Sequence, residues 1–172
     1  MREALQFLKD RGVPENVIRH SLVVAKYAKK FAIALLDKGI DVDVDKVEIG
    51  ALLHDIGRSQ THSIKHGVVG AKILRDSKFK DYARFAETHI GAGISKDEAT
   101  KLGLGEKDLV PRTLEEKIVA YIDDRVMGEK FVSEKEALAR FKSELGDTPA
   151  YHRIESLFKE MRDLYGREWS DC

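Results

Sequence analysis

The chain of 172 residues carries a single cysteine, and it is the last residue, Cys172. That rules out an intramolecular disulfide, a cysteine-built zinc site and a thiol nucleophile within the fold, and the terminal thiol is expected to be incidental. Proline is confined to positions 14, 111 and 149, and no stretch is rich in Gly, Ser and Pro, so no linker divides the chain. Asn and Gln together occur only as Gln6, Asn16 and Gln60, while charged residues make up 35% of the chain, a bias that heat-adapted proteins share. A surplus of either charge is also missing. Thirty basic and thirty acidic residues cancel, which removes any global pull toward nucleic acid or anionic lipid, so an anionic ligand must be attracted locally. The longest apolar runs, such as Phe31 to Leu36, fall far short of the about 20 residues that a membrane span needs. The first residues are amphipathic rather than signal-like, so the expectation is a cytosolic protein.

What is present is helical periodicity. Val17, Val24, Phe31 and Leu35 recur along one face between Pro14 and Gly39, which predicts a long central helix over 14–38. Ser95 to Glu98, Thr113 to Glu116 and Ser133 to Glu136 have the spacing of capping boxes, and Thr148-Pro149 marks one more helix start. Together these predict helices near 2–11, 14–38, 44–56, 64–77, 79–89, 95–102, 113–128, 133–145 and 148–165. The fold class is all-α, one helical bundle over 1–172. The glycine-rich stretch from Gly91 to Pro111 is expected to be irregular and to form the substrate-side loop. Apolar residues of the last two helices, among them Phe131, Phe158, Met161 and Trp169, are expected to be core; a homo-oligomer interface is the other use for such a face.

Four of the six histidines lie on otherwise apolar or small-residue faces. His20 aligns with Val24, Tyr27 and Phe31, and His54 with Gly50 and Ala51, where small residues permit a close helix approach. His66 aligns with Val69, Gly70 and Ile73, and His89 with Tyr82, Phe85 and Ala86. Asp123 closes the apolar run Ile118 to Ile122, with Val126 and Met127 expected as further helical neighbours. A carboxylate buried there costs several kcal/mol unless a cation or strong hydrogen bonds compensate it. Histidine and carboxylate without cysteine are the donor set of Fe, Mn, Co, Ni or Zn, and helix-borne ligands can converge inside a bundle. Taken alone, His66 and His89 read equally as core histidines. His62, in the loop Ser59 to Ser63, and His152, beside Glu155 and Lys159, read as surface residues.

His20, the pair His54-Asp55 within His-Asp-Ile-Gly-Arg, and Asp123 resemble the H…HD…D signature of the HD superfamily of metal-dependent phosphohydrolases. The likeness spans about 14–128, leaving helices over about 129–172 to pack on that core. The extra His66 and His89 resemble its binuclear branch, and the tract Leu114 to Asp123 is similar to the segment around the last ligand of bacterial HD-type diadenosine-tetraphosphate hydrolases; that similarity selects Asp123 over Asp124. The run His89-Ile90-Gly91-Ala92-Gly93 is similar to small archaeal HD-domain proteins. The Gly-Tyr-Pro element of cyclic-dinucleotide phosphodiesterases is missing.

The resemblance implies His20, His54, Asp55 and Asp123 around one divalent ion, with Asp55 bridging to a second held by His66 and His89. It also implies hydrolysis of a phosphoester or phosphoanhydride of a nucleotide-like small molecule, with Asp55 and Arg58 acting at the reacting phosphate. Arg58 reads either as a phosphate ligand, since guanidinium pairs with phosphate bidentately, or as a surface arginine at a helix end. Lys65 and Arg125 are further candidates. A di-iron oxygenase and a regulatory module with little turnover remain alternative readings of the same ligand set.

Overall fold

The computed structural model describes residues 1–170, so Cys172 lies outside the described residues. The chain is all-α. Helices α1 (Arg2–Asp10), α2 (Glu15–Leu36), α3 (Val44–Leu53), α4 (His66–Arg75), α5 (Ala83–Thr88), α6 (Lys96–Lys101), α7 (Leu114–Asp123), α8 (Glu134–Leu145) and α9 (Pro149–Tyr165) are joined by short turns. A two-stranded ribbon, β1 (Val126–Met127) and β2 (Lys130–Phe131), sits between α7 and α8.

Helix α2 is central because its apolar residues return every three or four positions. Val17, Val24, Ala28, Phe31 and Leu35 are all buried, and the helix packs against α3 and α7. Full burial of Phe31 alone contributes about 1.5–3 kcal/mol. Gly50 on α3 admits α5, since a Cβ there would lie 2.5 Å from the Phe85 ring. Leu157, Phe158, Met161 and Trp169 are buried in the same core, with Trp169 packed 5.3 Å from Phe31 between ring centres. Among the described residues no helix is long and apolar enough to cross a membrane.

Several expected elements end early, each for a local reason. The helix expected over 44–56 stops at Leu53, and Ile56–Ser59 forms a 3-10 turn, leaving His54 and Asp55 at the junction. Gly57 in that turn lies against the start of α4: a Cβ on it would collide with the carbonyl of His66 and come within 2.7 Å of Gly70 N. The helix expected over 113–128 stops at Asp123. Arg125 and Val132 exchange main-chain and side-chain hydrogen bonds at 2.8 and 3.1 Å, which draws the chain into the ribbon, and Gly128 makes its turn at φ 65°. Val126 and Met127 are therefore strand residues, not helical neighbours of Asp123. The 79–89 segment divides into a 3-10 turn, Lys80–Tyr82, and α5.

The capping boxes at Ser95 and Ser133 are complete. At Thr113 only half forms: the hydroxyl accepts from Glu116 N, but the Glu116 carboxylate is taken by Arg84 at 2.7 Å and by Arg112 N–H at 2.8 Å. The stretch from Gly91 to Pro111 is more ordered than expected. It holds α6, a bridge between Ile94 and Leu109, and a small core of Ile94, Ala99, Leu104 and Leu109.

Candidate metal centre

The fold brings together His20 from α2, His54 and Asp55 from the turn after α3, His66 from the start of α4, His89 from the end of α5 and Asp123 from the end of α7. His20 Nε2 lies 2.9 Å and His54 Nε2 3.4 Å from Asp123 Oδ1. His66 Nε2 and His89 Nε2 lie 3.2 and 3.4 Å from Asp55 Oδ1, and 3.1 Å from each other. His54, Asp55, His66 and His89 are buried, whereas His20 and Asp123 border open cleft.

The other nitrogen of every ring meets a main-chain carbonyl. Nδ1 of His54 faces Ala51 O at 2.5 Å, of His66 Ser63 O at 2.8 Å, of His89 Ala86 O at 2.9 Å, and of His20 Gly128 O at 2.8 Å. A carbonyl can only accept, so each Nδ1 carries a proton and each neutral ring turns the lone pair of Nε2 toward the carboxylates. Three of these bonds reach back three residues, to carbonyls at the end of α3, before the start of α4 and in the last turn of α5. The two helix-end carbonyls lack a full set of intrahelical donors.

Acceptors thus confront acceptors at one point, which is unfavourable unless a cation or protons lie among them. Among the described residues, the buried side-chain polar atoms without a hydrogen-bond partner are His54 Nε2, Asp55 Oδ1, Asp124 Oδ2 and Arg140 Nε, and all four residues belong to this region. Each such atom costs about 1–3 kcal/mol if left so. His20, His54 and Asp123, and likewise His54, Asp55 and His89, each present donor atoms within 4.8 Å of one another. The residues fit a divalent metal ion.

Without a cation the carboxylates recruit protons instead. Burial alone would lower the His54 pKa, but the charges of Asp123 and Asp55 push it up to about 9. Burial acts the same way on His20, where the Asp123 hydrogen bond and charge again prevail and raise it. For Asp55 and Asp123, burial favours the neutral acid, yet the adjacent imidazoles hold both well below the usual carboxylate range. For His89, burial prevails over the neighbouring carboxylates and lowers the pKa. Asp124 differs in kind: burial and its neighbour Asp123 raise its pKa, and its side chain belongs to neither of the two donor groups.

Arg58 donates from Nε to Asp55 Oδ2 at 2.7 Å and lines the cleft. Lys65 is exposed and outside the lining. Arg125 is no cleft residue: it is buried, bonded to Tyr121 OH, Val132 O and Trp169 O, and stacked on Phe131. The residue missed from sequence is Arg140 of α8. It lines the cleft, donates to Asp124 O at 3.0 Å and stacks on Phe141 at 4.2 Å. A helix face of mixed charge gave it no distinguishing signal. His62 is exposed at the cleft mouth, and His152 is exposed and paired with Glu155 at 2.9 Å. Hollows of about 380 Å³ and 220 Å³ open over the centre.

Residues 17–128 match the HD domain family. The chain belongs to that family. An uncharacterized protein of Methanocaldococcus jannaschii is 49% identical over 164 residues, covering 94% of this chain and 96% of its own. A tRNA (cytidine(56)-2′-O)-methyltransferase of Picrophilus torridus is 39% identical over 171 residues; this HD domain spans 48% of its length. Among solved structures, the HD domain of L. monocytogenes phosphodiesterase PgpH superposes with a TM-score of 0.52 at 19% identity, covering 89% of this chain and 91% of the other, a likeness of fold. The candidate ligands named above, from His20 to Asp123, all fall inside the matched segment.

Proposed function

We propose that this HD domain is a metal-dependent phosphohydrolase acting on a phosphodiester or phosphoanhydride of a nucleotide-like molecule. The observation that carries the reading is the convergence of four imidazole lone pairs and two carboxylates beneath an open cleft edged by the guanidinium groups of Arg58 and Arg140. His20, His54, Asp55 and Asp123 would hold one ion, and His66, His89 and Asp55 a second, the donor set suiting Fe, Mn, Co, Ni or Zn. A bound divalent ion supplies Lewis acidity toward phosphate and lowers the pKa of water from about 15.7 to about 7.

The chain's own residues do the rest. The imidazole Nδ1–H groups, tied to carbonyls, fix the tautomer and aim each Nε2 inward, where a bound ion would take the place of a proton. Asp55, gripped by Arg58, stays ionised and serves both halves of the centre. Arg58 and Arg140, both in the cleft lining, would present planar donors to the non-bridging phosphate oxygens.

The structural neighbour, the HD domain of a phosphodiesterase, and the tRNA methyltransferase relative make phosphodiesters and RNA-derived nucleotides the first substrates to screen. Protein purified without chelator is assayed for metal content and then for hydrolysis of nucleotides, dinucleotides and bis(p-nitrophenyl) phosphate with Mn, Fe, Co or Ni. Metal-dependent hydrolysis that Asp55→Ala abolishes together with metal binding is expected. Full activity in Asp55→Ala refutes the reading; iron-dependent oxygen consumption without hydrolysis replaces it with the oxygenase one.

A further inference from the structure

A second hollow of about 280 Å³ adjoins the metal cleft. The two share Ile90, Gly91 and Phe141 in their walls, so they meet along one edge, one residue past the ligand His89. Its character is different. Ile64, Ile90, Ile94, Leu102, Leu145 and Ile154 make the lining apolar, and they come from five separate parts of the chain. Three of them, Ile64, Leu102 and Leu145, are large apolar side chains left 39%, 44% and 37% exposed around this one opening. Exposed apolar surface gathered at a concave site, rather than scattered, marks a place that expects a ligand.

The polar groups at the rim are few and mostly engaged. Arg153 is closed on Glu98 at 2.6 Å and also donates to Gly93 O. Glu144 also lines the hollow and has no ion pair among the described residues. Gly91 keeps the junction open on the side of α9, since a Cβ there would press on Ile154 Cδ1 at 3.2 Å. Phe141 stands at the junction with Arg140 stacked on it, so consecutive residues of α8 serve both hollows: a cation toward the phosphate cleft and a ring toward the apolar slot.

We infer that this slot, between Gly91–Leu102 and the helices α8 and α9, holds the nucleobase of the molecule whose phosphate lies at the metal centre. The inference rests on the phosphohydrolase reading for the position of the phosphate. A base has an apolar, stackable face to set among the isoleucines and Phe141, and an edge whose amino group can be accepted by Glu144; an alkyl chain would leave that carboxylate unused. The recognition segment is then the Gly91–Leu102 part of the glycine-rich stretch together with α8 and the first turns of α9. Gly103, Gly105 and Pro111 lie outside the slot lining.

The test is calorimetric binding of AMP, ribose 5-phosphate and hexyl phosphate to manganese-loaded full-length protein. AMP is expected to bind at least tenfold tighter than either of the others. Ala150→Trp, which fills the slot from the start of α9, should bring AMP to the level of ribose 5-phosphate and leave ribose 5-phosphate unchanged. Leu102→Ser, at a position 44% exposed, should weaken AMP about threefold and serves if the tryptophan variant does not fold. Equal binding of AMP and ribose 5-phosphate, hexyl phosphate binding as tightly as AMP, or a slot variant that weakens all three alike overturns the inference. Hydrolysis without base preference removes the slot and leaves the hydrolase; base-dependent binding without hydrolysis does the reverse.

Discussion

Gly57→Ala sets two opposed effects against each other at the junction that carries the centre. Gly57 is not among the residues with positive φ, so alanine is conformationally acceptable there and would stabilise by about 0.4–1 kcal/mol through the unfolded chain. Against this, the new Cβ collides with the His66 carbonyl and lies 2.7 Å from Gly70 N, both of them backbone atoms of α4. No side chain can rotate away, so α4 must move as a unit, and overpacking of this kind costs about 1–3 kcal/mol. The steric effect wins by about 1–2 kcal/mol, which at about 2–4 °C per kcal/mol for a chain of this size lowers Tm by about 2–8 °C. Because His66 opens α4, the same movement separates its Nε2 from Asp55 and His89, and metal affinity falls by about 10–100-fold, the scale for disturbing a ligand's support. Differential scanning calorimetry in chelator gives the first quantity, and isothermal titration with manganese gives the second. A Gly57→Ala protein that melts at or above the parent temperature and binds manganese undiminished would refute the reasoning.

Two further outcomes follow from the electrostatics. Asp123→Asn should lose metal content by elemental analysis, whereas Asp124→Asn, replacing a carboxyl whose pKa burial and Asp123 raise and which lies outside both donor groups, should retain it; the reverse pattern reassigns the ligand. In metal-free protein the His54 pKa is raised from 6.5 to about 9, so its stabilising contribution is complete below about pH 6.5 and disappears as pH rises through about 9. Asp55 and Asp123 are lowered, so theirs is present above about pH 3.8 and fades as pH falls below it. Tm of the metal-free protein should therefore decline between about pH 6.5 and 9.5, and saturating metal, which binds the neutral ring, should flatten that decline; a metal-free Tm constant over the range would contradict the assignment.

The histidines were legible in the sequence because each interrupts an apolar face, and Asp123 because nothing around it could solvate a charge. Their convergence was not: it depends on where α3 and α7 end, and helical periodicity continued past both ends into His54-Asp55 and Val126-Met127. The stops are imposed by contacts distant in sequence, the approach of α4 to Gly57 and the pairing of Arg125 with Val132. Arg125, only a further phosphate candidate from the sequence, drops out for a related reason. A cation near a candidate ligand looks suited to phosphate, but Tyr121, Val132 and Trp169 enclose it on the far side of the helix end. Arg140 carried no signal, since its role arises only from the way α8 is laid across the cleft. The glycines from Gly91 to Gly105 suggested irregularity, while Ser95 and Glu98 within the same stretch had already marked α6.

The four Nδ1–H bonds all end on main-chain carbonyls, and this alters what can change the centre. Where a metal-binding imidazole leans on a glutamate or aspartate, one substitution detunes it. Among the described residues each Nδ1 instead meets a main-chain carbonyl, so the orientation of the cluster is inherited from the backbone around the helix ends and one hairpin turn. Substitutions in the apolar slot that leave those ends in register would not disturb that orientation. The ring orientation of the candidate centre is thereby written into the backbone, whereas the lining of the apolar slot is written into side chains.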